Sequence, residues 1–180
     1  YVTIEAEQDG MMVGYLAWGI INPNTYEVNI VEENIQKVDT PVQINNLSFE
    51  SIIRHNERLL LLYEANGSNL REDPYQLSVS LTDLSLKKIK SPNIEYRITD
   101  ATKVENNKFW AINYYWPGDK RNLKPGLDRL EKNKNSDSNQ TVERLVEFKI
   151  KKNEINLTKK KPVNLILEEG KSRNWEAIVR

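Results

Sequence analysis

Three carboxylates return at matching places along this chain, and they are the residues best able to do chemistry together. Phe49-Glu50-Ser51-Ile52-Ile53-Arg54 and Trp175-Glu176-Ala177-Ile178-Val179-Arg180 both read aromatic, Glu, small, Ile, β-branched, Arg. Between them, Ile98-Thr99-Asp100-Ala101-Thr102-Lys103 holds a carboxylate, a small residue, a β-branched residue and a base in the same order. Glu50 and Asp100 are 50 residues apart, and Asp100 and Glu176 are 76 apart; the excess is close to the length of a polar stretch at 117–141. Carboxylates gathered from successive repeats make an oxygen-rich ring, which suits Ca²⁺ or another hard divalent cation. The plainer reading of each is a carboxylate that accepts backbone N–H bonds or faces water.

Other chemistries are narrowed by composition. Cysteine is absent and His55 is the sole histidine, so disulfides, thiolate sites and three-histidine zinc are excluded. His55 falls in His55-Asn56-Glu57-Arg58 between two apolar runs, where an exposed turn is expected. Phosphate-cradling loops, dinucleotide fingerprints and nucleophile elbows are missing from the string. Lys plus Arg equals Asp plus Glu at 26 each, so net charge gives no footprint for nucleic acid or an anionic membrane. No stretch approaches the ~20 apolar residues that span a bilayer.

Two further groups are candidate ligand contacts. Glu64-Ala65-Asn66-Gly67 ends a strand-like run, so Glu64 and Asn66 could reach the same place as the repeated carboxylates, although Asn-Gly is first a turn former. Trp110-Ala111-Ile112-Asn113-Tyr114-Tyr115-Trp116-Pro117-Gly118-Asp119 is rich in aromatics and reads by default as buried packing. At its exit, Trp116 and Asp119 could form a wall for a small-molecule ligand, with Lys120, Arg121 and Lys124 nearby.

The elements that must position these residues are strands. Residues 13–21 form an apolar run closed by Asn22-Pro23-Asn24, and 26–31 alternate apolar and polar. Hairpin patterns follow at 49–54 with 59–64, 75–81 with 86–89, 96–104 with 109–116, and 142–150 with 154–158. A short helix is conceivable at 122–134 from Leu123, Leu127 and Leu130, but Pro125 and Gly126 interrupt it, so 117–141 reads as a loop insert. Repeats of about 45–50 residues with four strands each are the signature of β-propeller blades. The expected fold is therefore all-β: residues 1–45 a partial blade contributing strands two to four, 46–90 a blade, 91–167 a blade carrying the insert 117–141, and 172–180 the first strand of the next. In that register Ile4-Glu5-Ala6 is matched with Tyr63-Glu64-Ala65. About three blades do not close a propeller, which typically needs four to eight. The remaining blades are expected from the same polypeptide, since the string opens on Tyr1 inside a strand-like run, or from a second subunit whose open blade the 172–180 strand completes.

At these residues the chain resembles the bacterial propellers grouped as esterase-like phytase domains, distant relatives of the gluconolactonase, regucalcin and paraoxonase propellers. The resemblance is carried by Ser48-Phe49-Glu50-Ser51-Ile52, Leu61-Leu62-Tyr63-Glu64-Ala65-Asn66-Gly67, Ile98-Thr99-Asp100-Ala101 and Asn174-Trp175-Glu176-Ala177-Ile178. Ser51 and Ala177 stand where that family usually has glycine. The resemblance implies a six-bladed propeller, often exported, with Ca²⁺ or another divalent cation in its channel and sometimes hydrolase activity on esters, lactones or phosphoesters. Carried over by position, Glu50 and Glu176, with Asp100 and Asn66, are channel ligands. The expected function is a binding or scaffold module with a channel cation; the alternative is a metal-dependent hydrolase. The first is favoured because no general base stands out.

Overall fold

The computed structural model describes residues 1–131, 140–165 and 173–179. The protein is all-β, and four of its hairpins are set by residues that accept a positive φ. β1 (Val2–Gln8) and β2 (Met11–Ala17) turn through Asp9-Gly10, with φ of 54° and 74°. β6 (Phe49–His55) and β7 (Arg58–Tyr63) turn at Asn56, φ 55°. β10 (Arg97–Ala101) leads to β11 (Lys108–Tyr115) through Asn106-Asn107, φ 50° and 59°. β12 (Val142–Lys151) and β13 (Glu154–Leu157) turn at Lys152, φ 56°. Left-handed residues suit two-residue hairpin loops because their twist matches that of the strands they join.

Completed by β8 (Tyr75–Ser80) and β9 (Leu86–Lys90), the strands from 49 to 90 form an antiparallel run β6-β7-β8-β9. A second run, β10-β11-β12-β13, follows, and a single parallel pairing of Glu154 with Lys90 joins the two into one sheet. Its end strands β6 and β10 lie against each other, and the Ile98 amide donates to the Glu64 carbonyl at 3.0 Å. The eight strands are therefore barrel-like and nearly closed. β14 (Val163–Asn164) adds to β12.

β7 is buried on both faces because sheets pack on either side of it. Leu59, Leu61 and Tyr63 join Phe49, Leu77 and Val79 in one core with Leu16 and Val38. Leu60 and Leu62 join Ile53 and Ile89 in another, with Ile98, Phe109, Val146 and Phe148. Tyr63 is fully buried, and its hydroxyl donates to the Val42 carbonyl at 2.8 Å. Replacing Tyr63 with Phe leaves that carbonyl without its partner and is expected to cost about 0.5–1.5 kcal/mol in urea unfolding; an unchanged midpoint would show that water takes over the bond.

The first 45 residues depart from the expected pattern. β1, β2 and β5 (Ile35–Asp39) make a three-stranded sheet in that order, and β1 lies beside β6. Residues 2–8 form the edge strand of that sheet next to β6, which brings Glu5 to Glu50. The expected strand at 13–21 divides, because the chain leaves the sheet at Trp18-Gly19 and forms a separate hairpin of β3 (Ile20–Ile21) and β4 (Val28–Asn29). Only glycine fits at Gly19, where a Cβ would lie 2.3 Å from the Asn29 carbonyl oxygen.

Helix is minimal. A 3₁₀ turn at Pro117–Asp119 runs into α1 (Lys120–Leu123), which stops where Lys124 turns left-handed ahead of Pro125. Among the described residues no helix is long and apolar enough to cross a membrane. Residues 173–179 run beside β10 without strand pairing, because their backbone bonds go to side chains: Trp175 O accepts from Thr99 Oγ1 at 2.6 Å, and Ile178 N donates to Asp100 Oδ2 at 2.8 Å. Positions 132–139 of the expected insert, and 172 and 180 of the expected strand, lie outside the described residues.

Candidate functional site

Bulges decide where the repeated carboxylates point. The β6–β7 register slips between Phe49 and Ser51, at Glu50, and the β10–β11 register slips between Ile98 and Ala101, across Thr99 and Asp100. A bulge bends its strand and re-aims the side chain at the extra residue. Each irregularity falls beside a candidate carboxylate in the strand that opens its four-stranded run.

Glu50 is turned toward Glu5 of β1 and toward Glu64, the residue after β7. One carboxylate oxygen from each lies within 4.8 Å of the others. Burial is graded across the group: Glu64 is fully buried, Glu5 half-buried, and Glu50 one-third exposed at the rim. Glu64 Oε1 accepts from the Ser48 amide at 3.0 Å, and Glu64 Oε2 accepts from Arg97 at 2.6 Å. Arg97 also reaches Glu50 Oε1 at 3.4 Å and Asp119 Oδ2 at 4.0 Å. Glu5 Oε2 is shut away from solvent with no hydrogen-bond partner.

The electrostatics follow from one guanidinium among several carboxylates. Burial pushes Glu64 up to about 8, with Glu50 adding to the rise and Arg97 opposing it. Glu50 is raised by burial and by Glu5 and Glu176, against Arg97 and a hydrogen bond to Glu64. Glu5 and Asp119 are raised by burial as well, each opposed by Arg97. In all four the largest cause is burial, which penalises the charged form; neighbouring carboxylates add to it at Glu50 and Glu64, and Arg97 opposes it throughout. A bound proton or cation relieves that penalty. The donor set is oxygen only, which fits a hard cation, and the orphaned Glu5 oxygen is a ligand atom without a present partner.

The other sequence candidates have different places. Asp100 is a latch, holding the Ile178 amide. Glu176 accepts from Asn174 Nδ2 at 2.5 Å and is near enough to Glu50 to raise it, so it stands at the periphery. Asn66 is structural: its Nδ2 donates to Tyr63 O at 2.5 Å, and its Oδ1 accepts from Gln76 at 3.0 Å. Trp116 is half exposed, with its ring folded over Gly118, where a Cβ would strike it at 1.8 Å. Asp119 reaches the cluster through Arg97. Among the described residues the carboxylates brought within 4.8 Å of one another are Glu5, Glu50 and Glu64; Asp100 and Glu176 are not in that group. His55 is half-buried at the end of β6, with Nε2 2.9 Å from Asn107 Oδ1, rather than free in a turn.

Sequence reasoning missed Arg97, which no repeat marks, and did not count Glu5 among the site residues. It also missed the pins on the 117–131 segment. Glu95 accepts from the Ser68 and Gly126 amides at 3.0 and 2.8 Å, and Asp128 pairs with the buried Arg144 at 2.6 Å. This segment is anchored, and that is how Asp119 comes to Arg97. No protein-family model matches the chain, and no curated protein or solved structure shows significant similarity to it.

Proposed function

We propose that the chain is a β-propeller segment acting as a binding module, with Glu5, Glu50 and Glu64 holding a hard divalent cation, Ca²⁺ foremost. The observation that carries this reading is the convergence of three carboxylate oxygens around a buried Glu5 oxygen that lacks a partner. The radial arrangement is supported by two successive four-stranded runs whose first strands, β6 and β10, lie side by side with β1 on the other flank of β6. In that arrangement the carboxylates face a central channel, and Asp119 and Trp116 stand as contacts for a small molecule bound at the cation.

Thermal unfolding with and without Ca²⁺ tests the site. Protons and the cation compete for carboxyls whose affinity for protons is raised, so stabilisation should be larger at pH 8 than at pH 6. A rise of about 2–4 °C is expected at pH 8, corresponding to ~1 kcal/mol for a chain of this size. Glu5→Gln combined with Glu50→Gln should abolish the rise, while Asp100→Asn should retain it. No response at either pH, or an unchanged response in the double variant, would remove the cation from this cluster.

A further inference from the structure

We propose that a cleft at one end of the barrel-like sheet binds a small dicarboxylate between Arg58 and Lys87, with the Ser78 hydroxyl as a third donor. Three hairpin turns meet there. The Leu81 amide donates to the Glu57 carbonyl at 3.0 Å, which ties the β8–β9 turn to the β6–β7 turn. Arg58 Nη1 donates to Asn153 Oδ1 at 3.2 Å, which ties in the β12–β13 turn. Among the described residues β9 and β13 share only the Glu154–Lys90 pair, so residues 86–89 have no strand neighbour on that side. The cleft between these elements has a volume of about 410 Å³, within the ~300–1,000 Å³ of small-molecule pockets. β7 begins at Arg58 and ends at Tyr63, so the cleft lies at the opposite end of this strand from Glu64. It stands apart from the cation reading.

Strand register puts the donors on one face. Arg58 lies opposite Ser80, and Ser78 lies opposite Lys87, so all four share the side of the sheet that carries Leu60 and Ile89 into the core. Toward this end the apolar interior gives way to donors, Leu60 to Arg58 and Ile89 to Lys87. Ser78 is only 3% exposed, yet its hydroxyl has no hydrogen-bond partner among the described residues, and it lines the cleft. A buried hydroxyl is costly to leave unmet, and an acceptor entering the cleft satisfies it.

Both signs of charge line the cleft, but the acidic groups are already engaged. Asp83 Oδ1 accepts from the Ser85 amide and hydroxyl at 3.1 and 2.8 Å, and Glu57 pairs with Arg54 at 3.4 Å. Lys88 belongs to the opposite face, with its ammonium 4.3 Å from the Tyr75 ring centroid. Arg58 and Lys87 have no carboxylate partner among the described residues. These two cations stand on β7 and β9, either side of β8, so strand spacing alone sets their Cα atoms roughly 10 Å apart. Separated positive groups with a hydroxyl between them match two carboxylates on a short linker better than one compact anion. Arg58 spends Nη1 on Asn153 and keeps its Nε–Nη2 edge, which takes a carboxylate through two parallel N–H bonds. Lys87 and Ser78 take the other carboxylate.

Amide NMR spectra of the full chain, titrated with succinate at low ionic strength, test the site. Saturable shifts should concentrate at Arg58, Ser78, Lys87 and Asn153. Butyrate, with the same number of carbons and one carboxylate, should bind at least about tenfold more weakly, the worth of one hydrogen-bonded charge. Arg58→Gln and Lys87→Gln should each weaken succinate by about tenfold or more, and Ser78→Ala by about threefold to tenfold. Lys88→Gln removes the same charge from the other face and should change affinity by less than about twofold. Arg58, Lys87 and Lys88 are exposed, and the spectra themselves verify that each variant is folded. The absence of saturable shifts up to about 10 mM succinate would overturn the inference. So would an equal loss in Lys88→Gln, which belongs to diffuse charge attraction. Sulfate or butyrate binding as tightly as succinate would refute the dicarboxylate, because a single anion would then satisfy the site.

Discussion

Replacing Arg144 with Leu is expected to cost about 3–5 kcal/mol in urea unfolding, the range for removing one partner of a buried ion pair. Arg144 has no exposed surface. Its Nη1 and Nη2 donate to the two oxygens of Asp128 at 2.6 and 3.1 Å, its Nε donates to Asn113 Oδ1 at 2.8 Å, and its guanidinium lies 5.4 Å from the Tyr96 ring. Leucine fills much of the volume but leaves the nearly buried Asp128 carboxylate uncompensated. Removing both charges in Arg144→Leu with Asp128→Leu should recover part of the loss, since an apolar pair carries no stranded charge. A loss below about 1 kcal/mol in the single variant would mean that Asp128 swings into water and that the pair does not hold the 117–131 segment.

The same substitution reaches the acidic cluster by a traceable path. Asn113 Nδ2 donates to the backbone carbonyls of Glu95 and Arg97 at 2.9 and 3.1 Å. Arg144 therefore orients the amide that fixes the backbone beneath Arg97. Asp128 and Glu95 fix the segment that carries Asp119 to the other side of the same guanidinium. Beyond the stability loss, the Arg144 variant should shift any Ca²⁺ response in the same direction as loss of Arg97, without touching a ligand.

How far the sequence could show this site depends on range. Hairpins were legible because Asp9-Gly10, Asn56 and Asn106-Asn107 are local signals for left-handed turns, and apolar runs such as 59–63 require burial wherever they fall. Glu50 was legible from its local string, and it lies at a β-bulge of β6. Glu5 was visible as a residue but not as a member of the cluster, because its approach to Glu50 is set by the contact of β1 with β6, which no local pattern announces. Arg97 and Arg144 could not be found by pattern. Each is the single cation its carboxylates need, and which carboxylates surround it is set by contacts 16 to 47 residues away in sequence. The turn at 22–24 was legible, but the break at Trp18-Gly19 that sets the hairpin outward was not, because β-branched residues read as sheet whether or not a sheet receives them.

Arg97→Gln should show whether the cluster is short of positive charge, as its geometry implies. The guanidinium reaches Glu64, Glu50 and Asp119 together, and its loss is expected to cost about 1.5–3 kcal/mol near pH 7, the range for hydrogen bonds to charged groups. The pH dependence is more telling than the size. Glu64 sits up to about 8 against an ordinary 4.5, so the folded protein keeps a proton that the unfolded chain releases between those values. That carboxyl favours the fold most below 4.5, and the contribution is lost as pH rises through 8. Without Arg97 the folded protein holds the proton to still higher pH. The variant should therefore go on losing stability as pH rises past 8, where the parent levels off, so that its total loss between about pH 5 and pH 9 is the larger. The cost of the substitution should be smallest at the acid end, where the proton already does the work of the guanidinium. Ca²⁺ should stabilise Arg97→Gln more than the parent, because a divalent cation then meets the carboxylates without a competitor. A cost that stays flat across this range would mean that Arg97 serves packing alone. A Ca²⁺ response lost along with Arg97 would place the cation elsewhere.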